Sequence, residues 1–388
     1  MAERPFSIRL KGKKSKLGPF TKGLMAALLF IVGLILLIIG AEALVRGASR
    51  LANAVGISPL IIGLTVVAFG TSSPEFAVSI KAATAAQPGI ALGNIIGSSI
   101  ANILLILGLS AIITPLIVSQ QLVRLDVPLM IIASIIVWVF SFNGIFNRVE
   151  GLLLFGSLIL YIIFLIYQSR KESADIQAEY AKEFGPKNGN SWLINIGLVA
   201  GGLVMLVQGS NWLVDSAITF AQLLGVSELI IGLTIIAVGT SLPEIVTSII
   251  ASLRGERDIA VGNVVGSNLF NILGVLGLAS IVAPSGLAVS PAIISFDLPI
   301  MVAVSFACLP IFFTGGVISR WEGILLLGYY VAYTLYLILA ASQHDALTPF
   351  SAIMLYFVIP LTALTLFVVT LHAIRQNRQS KRSTLPGT

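Results

Sequence analysis

A glutamate inside an apolar run is expensive, and this chain carries one twice in the same setting. The first copy, GISPLIIGLTVVAFGTSSPE, runs from Gly56 to Glu75, and the second, GVSELIIGLTIIAVGTSLPE, from Gly225 to Glu244. Each is followed at one spacing by a second signature, GNIIGSSIANILLILG from Gly93 to Gly108 and GNVVGSNLFNILGVLG from Gly262 to Gly277. A single offset of 169 residues maps Thr71 onto Thr240, Glu75 onto Glu244, Asn94 onto Asn263 and Asn102 onto Asn271. A repeat in register over such a length is the signature of a duplicated unit. The buried acids point to a secondary cation transporter whose ion site is shared between the two copies.

The rest of the chain sets the frame. Of 388 residues, 57% are hydrophobic and only 10% charged, which is the balance of a polytopic membrane protein, not of a soluble core. The single cysteine, Cys308, excludes an internal disulfide, and neither His344 nor His372 has a partner at metal-ligand spacing. The net charge of +6 comes largely from the basic tails. Its expected partner is anionic lipid, since no nucleic-acid motif accompanies it. A signal peptide over Met1–Gly23 is set aside: the following apolar run is long, leads straight into the repeat and shows no small-residue cleavage site.

Apolar runs near the roughly 20 residues that span a bilayer fall at about 24–44, 60–82, 91–115, 125–142 and 150–168, then at 192–216, 228–252, 260–284, 296–314 and 321–341. The repeat extends past the signatures, because Asp126-Val-Pro-Leu-Met matches Asp297-Leu-Pro-Ile-Met and Arg148-Val-Glu-Gly matches Arg320-Trp-Glu-Gly. The expected fold is therefore all-α, with two repeats of five transmembrane helices, and an odd number forces the second copy to enter the membrane inverted. The expected division is a basic N-terminal tail (1–23), the first repeat (24–168), a polar connector (169–191) whose KESADIQAEYAKEF core can form a surface helix, the second repeat (192–341), one extra C-terminal transmembrane helix (342–374) and a basic tail (375–388). Placing residue 24 outside puts Arg46, Arg50, Arg124, Arg170, Lys171, Lys182, Lys187, Arg254, Arg257, Arg320 and the C-terminal tail inside, in keeping with the positive-inside rule. The basic N-terminal tail runs against that orientation.

Proline has no N–H and its ring clashes with the carbonyl four residues back. Pro74 thus releases the carbonyl of Gly70, and Pro243 that of Gly239, so each motif reads as a span broken inside the membrane. Such backbone survives only within protein or beside a water-filled cavity. The breaks collect oxygen donors: freed carbonyls, the hydroxyls of Thr71, Ser72, Thr240 and Ser241, and the carboxylates of Glu75 and Glu244. The second signature adds Ser98 with Asn102 and Ser267 with Asn271, each pair on one helical face. An all-oxygen set without sulfur or imidazole suits hard cations such as sodium, calcium and magnesium.

Blander roles compete. The spacings Gly93-x-x-x-Gly97 and Gly262-x-x-x-Gly266 are those of helix packing. Asn94 and Asn263 suit interhelical hydrogen bonding as well as ligation, and Ser79 and Ser248 suit bonds back to their own helices. Asp126 and Asp297 are expected to cap helices near Pro128 and Pro299. Glu42 and Asp215 are expected at the interface. For Glu75 and Glu244 the rival is a protonated acid that only packs helices.

At these motifs the chain resembles the cation/calcium exchanger superfamily, in particular its prokaryotic sodium/calcium exchanger branch. The pattern G-T-S-x-P-E stands at Gly70–Glu75 and Gly239–Glu244, and G-N-x-x-G-S-x-x-x-N at Gly93–Asn102 and Gly262–Asn271. The resemblance spans about residues 24–341. It implies ten core spans and ion contacts at Glu75, Glu244, Thr71, Thr240, Ser72, Ser241, Ser98, Asn102, Ser267 and Asn271, joined by backbone carbonyls near Ala68 and Ala237. There are departures: Ser73 faces Leu242 in the alignment of the copies, and Ser99 faces Asn268. Asn102 and Asn271 stand where some relatives have an aspartate, which leaves two fixed charges. Gly97 and Gly266 occupy the region where proton-coupled relatives carry a glutamate, which favours sodium coupling. The implied function is exchange of calcium for sodium by alternating access in a plasma (inner) membrane, with no cofactor and no enzyme activity. Calcium/proton or potassium-dependent antiport, a channel and an intramembrane hydrolase using the two acids are the alternatives.

Overall fold

The protein is described by a computed structural model that covers residues 19–55, 57–169, 192–224, 237–313, 316–365 and 367–368. The terminal basic tails, the polar connector and residues 225–236 of the second motif lie outside the described residues, and with them the expected surface helix.

The first repeat begins with α1 (Pro19–Val55), which runs well beyond the expected end at residue 44. The stretch AEALVRGASRLANA holds good helix formers and no proline, so nothing stops it. There follow α2 (Pro59–Thr71), α3 (Ser73–Thr84), α4 (Pro88–Ile113), α5 (Leu122–Ser141) and α6 (Arg148–Ser169). The second repeat supplies α7 (Trp192–Leu223), the short α8 (Ala237–Gly239), α9 (Leu242–Leu253), α10 (Arg257–Val282), α11 (Ile293–Phe313) and α12 (Arg320–Ala341). A last helix, α13 (Leu347–Thr365), lies outside both repeats. Among the described residues nine helices are long and apolar enough to cross a membrane, or ten when the bent pair α2 and α3 counts as one span.

That bend, 49° at Ser72, is the expected break. Ser72 leaves helical geometry (φ −77°, ψ 6°), and Ser241 does the same in the second copy (φ −88°, ψ 8°). Each is followed two residues later by the proline that cannot donate to the preceding turn.

Four two-residue strands establish the inversion. β1 (Leu116–Ile117) follows the third span of the first repeat and pairs with β4 (Val317–Ile318), which follows the fourth span of the second. β2 (Ile145–Phe146) follows the fourth span and pairs with β3 (Leu287–Ala288), which follows the third. Hydrogen-bonded loops lie at the same end of a helix bundle. The end reached after three spans in one copy is therefore the end reached after four in the other, as inverted repeats require.

Small residues let the repeats meet backbone to backbone. A Cβ on Gly40 of α1 would lie 2.9 Å from the Gly202 carbonyl oxygen of α7, and one on Gly202 would lie 2.7 Å from that of Gly40. Gly33 and Gly209 repeat the contact nearer the other end of the pair. Elsewhere the third span of each repeat packs on the fifth of the other, through Gly108 with Gly323 and Gly151 with Gly277. Such close approach is how membrane helices gain dispersion contact when lipid offers no hydrophobic drive. The outer faces of α1, α6 and α13 expose large apolar residues such as Ile35, Leu152 and Phe357, while the buried polar residues gather inside α2–α4 and α8–α10.

One expectation fails here. Asp126 and Asp297 cap nothing: each ends a π-helical turn, 122–126 and 293–297, that is already part of its helix. The extra residue of the π turn accommodates the N–H that Pro128 and Pro299 lack, so the helix starts before the proline and not at it. The carboxylates instead accept from Tyr161 (2.9 Å) and Tyr333 (3.0 Å). Glu42 sits in mid-helix, half-buried and ion-paired with Arg46 and Arg254, while Asp215 is exposed.

Candidate functional site

The breaks at Ser72 and Ser241 bring the two copies face to face. Glu75 and Glu244 are both buried, as are Thr71, Ser72 and Ser241, while Thr240 is half-buried. Each glutamate stands in the first turn of the helix that resumes after its break, α3 or α9. Each faces the hydroxyls of the other copy. Ser241 Oγ donates to Glu75 Oε1 over 3.0 Å with Thr240 beside it, and Thr71 and Ser72 face the Glu244 carboxylate.

The asparagines of the second signature hold this arrangement. Asn94 Nδ2 donates to the backbone carbonyl of Glu75 (3.1 Å) and to Ser79 Oγ (2.9 Å). Asn263 Nδ2 does the same for Glu244 (3.5 Å) and Ser248 (2.9 Å). Their Oδ1 atoms reach across the copies: Thr71 Oγ1 lies 3.1 Å from Asn263 Oδ1, and Thr240 Oγ1 lies 3.4 Å from Asn94 Oδ1. Asn94 and Asn263 are thus interhelical ties within hydrogen-bond reach of the candidate ligands. Ser79 and Ser248 make no bond back to their own helices, contrary to expectation; they accept from these amides.

Among the described residues, several buried polar atoms on the helices that carry the motifs have no hydrogen-bond partner. They include Ser72 Oγ, Glu75 Oε2, Glu244 Oε2, Asn102 Oδ1, Ser267 Oγ and both polar atoms of the Asn271 amide. A buried polar group left unmade costs about 1–3 kcal/mol, so their number on these helices asks for a ligand. All but one are oxygens, and two belong to carboxylates, which is the donor set of a hard cation. Asn102 and Asn271 lie in π-helical turns at 102–107 and 270–275, which carry these amides inward. Ser98 is buried one turn before Asn102. The Ala68 carbonyl accepts from Ser72 N–H at 3.0 Å and from Thr71 Oγ1 at 3.4 Å, and Ala237 opens α8. Among the described residues no cluster of three or more His, Cys, Asp or Glu exists, so the two glutamates are the only close carboxylates.

The packing reading of the glycines holds for the second copy. A Cβ on Gly266 would lie 2.7 Å from the Leu64 carbonyl oxygen, and one on Gly262 would lie 3.0 Å from that of Leu60. A Cβ added to Gly93 or Gly97 would meet nothing within 4 Å among the described residues.

Two contributors escaped the sequence reading. Ser210 Oγ on α7 donates to the Gly239 carbonyl (2.8 Å), the group that Pro243 cannot reach. Its counterpart in the first repeat is Ala41, which has no hydroxyl. Asn268 Oδ1 accepts from Asn102 Nδ2 (3.1 Å), while its own amide meets Met130 Sδ (3.4 Å). Ser99, at the matching place, bonds only to its own helix at the Ile95 carbonyl (2.8 Å). The mismatch of the two copies at this position was the available signal.

Comparison with known proteins agrees with this geometry. The profile of the family described as sodium/calcium exchanger protein matches twice, over residues 25–169 and 194–339. The sodium/calcium exchanger MaX1 of Methanosarcina acetivorans is 34% identical over 339 residues, covering 79% of this chain and 96% of that protein. The inner membrane protein YrbG of Escherichia coli is 38% identical over 286 residues, covering 73% and 87%. A solved structure of the sodium-calcium exchanger NCX_Mj soaked with Na+ and Ca2+ superposes with a TM-score of 0.68 at 35% identity, covering 82% of this chain and 98% of that one. This chain is an integral membrane protein that belongs to the sodium/calcium exchanger family.

Proposed function

We propose that the chain is a secondary antiporter that exchanges calcium for sodium by alternating access around Glu75 and Glu244. The observation that carries this reading is the group of unpartnered buried oxygens around the two carboxylates. Two negative charges balance one divalent ion or two monovalent ones. The proposed ligands are Glu75, Glu244, Thr71, Thr240, Ser72, Ser241, Ser98, Asn102, Ser267 and Asn271, with the carbonyls of Ala68 and Ala237. The names of MaX1 and NCX_Mj support sodium and calcium as the ions. The name of the E. coli relative supports an inner membrane, and the basic tails suit anionic lipid. The division into repeats at 24–168 and 192–341, joined by a connector, belongs to the same reading. A hydrolase is disfavoured, since MaX1 and NCX_Mj are named as exchangers and, among the described residues, no third His, Cys, Asp or Glu accompanies the acids.

Bare carboxylates facing each other in a poorly hydrated interior cost several kcal/mol each, even after relaxation. The unloaded protein therefore changes sides rarely, and exchange is obligatory. Calcium-45 flux in proteoliposomes tests this. Rapid calcium-for-calcium exchange is expected without a gradient, with uptake driven by an imposed sodium gradient. Slow efflux is expected into a medium free of sodium, potassium and calcium. Uptake driven by a pH gradient alone, or only with potassium present, would replace the coupling ion. Fast efflux into the ion-free medium would overturn alternating access.

A further inference from the structure

The two repeats are not in the same conformation. α1 packs along α9, whereas the symmetry-related pair, α7 and α3, scarcely touch. Inverted repeats interchange their conformations between the two end states of an alternating-access cycle. In the opposite state, then, α7 lies along α3 and α1 parts from α9.

The contact that is made carries charge. Glu42 of α1 accepts from Arg254 Nε over 2.8 Å and is ion-paired both with that guanidinium and with Arg46 one turn away. Arg254 caps the end of α9. Two residues on, Glu256 accepts from Ser49 Oγ of α1 over 2.7 Å. The offset of the repeat places Asn211, Asp215 and Ile218 on α7 where α1 has Glu42, Arg46 and Ser49. It places Ala85 and Gln87 after α3 where α9 is followed by Arg254 and Glu256. No copy of the cluster can form there. Besides Glu75 of the candidate site, the charges on that pair of helices are Lys81 and Asp215, one on each.

We propose that Glu42, Arg46 and Arg254, with Ser49 and Glu256, form a one-sided latch that biases the alternating-access equilibrium toward the state in which α1 is docked on α9. The inference rests on the exchange mechanism proposed above. It adds that the two end states are unequal, and that the inequality is written in residues remote from the ion ligands. With the positive-inside orientation, Arg254 lies at the inner end and the latch holds the inner side closed. Intracellular release then requires the latch to break, so the two faces of the membrane show different apparent affinities.

The test reads conformation, not transport. Spin labels on cysteines replacing Gln87 and Thr219, in a Cys308→Ser background, report the distance between the end of α3 and α7 by pulsed electron resonance. The long distance is expected to dominate in the otherwise unchanged protein. Glu42→Gln and Arg254→Gln should each move population to the short distance by about two- to five-fold, the scale of a partly exposed ion pair. The double variant should move it no further than either single one, since both break one contact. The charge swap of Glu42→Arg with Arg254→Glu should restore the starting distribution, and Lys81→Gln should favour the latched state. Unchanged distributions in both single variants, or additive shifts in the double, would overturn the latch. Loss of sodium-driven flux in the unlabelled wild type would sink the exchange reading while leaving these distances interpretable. A variant that fails to fold shows itself by aggregation on size exclusion, and the charge swap then decides.

Discussion

Ser241 Oγ donates to Glu75 Oε1 over 3.0 Å, joining residues 166 positions apart in the chain. The bond links the break of one repeat to the acid of the other. Each carboxylate faces hydroxyls of the opposite copy, so the candidate site is shared between the two. This crossed arrangement explains how a duplicated sequence yields one central site and not two.

Removing one charge should abolish calcium exchange. Glu75→Gln and Glu244→Gln each leave a lone carboxylate to offset a divalent ion, a loss on the scale of breaking a buried pair, about 3–5 kcal/mol. Calcium flux should fall by more than about 100-fold with the folded fraction on size exclusion unchanged. A purified, intact variant that exchanges calcium at the wild-type rate would remove that glutamate from the site.

The asparagine ties should differ in weight. Asn263 is fully buried and contacts Thr71, Ser248 and the Glu244 carbonyl, whereas Asn94 is half-buried. Asn263→Ala should cost about 1–3 kcal/mol of stability by leaving those partners unmade, and Asn94→Ala less. Thermal unfolding in detergent orders the two. Equal losses would show that burial does not set their importance.

Gly266→Ala should push α10 from α2, since its Cβ would meet the Leu64 carbonyl oxygen at 2.7 Å and Ala68 Cβ at 2.8 Å. Overpacking of this kind costs about 1–3 kcal/mol, and it falls next to Thr71. Both thermal stability and calcium affinity should drop. Gly156→Ala on α6, with no described atom within 4 Å, should change neither.

Helix α13 should be dispensable for exchange. Its hydrogen bonds to the rest of the molecule come from Tyr329 of α12, to Thr362 Oγ1 (2.7 Å) and the Val358 carbonyl (3.4 Å). A chain ending at Ser342 should reconstitute and exchange calcium near the full rate. Folded but inactive protein would give this helix a role in the cycle.

The sequence by itself determined the repeat, its inversion and the two acids. A glutamate and a proline recurring in register within apolar spans have few physical explanations, and the odd number of spans expected per copy leaves only one relative orientation. Composition alone placed the chain in the membrane. Tertiary structure decided what depends on neighbours from the other copy. Whether Ser79 donates to its own helix or accepts from Asn94 is a choice between partners that lie within one turn or 15 residues away, and local propensity cannot rank them. Asp126 reads as a cap beside Pro128, yet a π turn absorbs the proline and Tyr161, 35 residues on, takes the carboxylate. The partner of Glu42 is unreadable until Arg254, 212 residues away, is brought against it. The sequence repeats almost symmetrically, but a folded chain occupies one state at a time. Which pair of symmetric contacts is made, and where charge reinforces it, is visible only when the helices are packed.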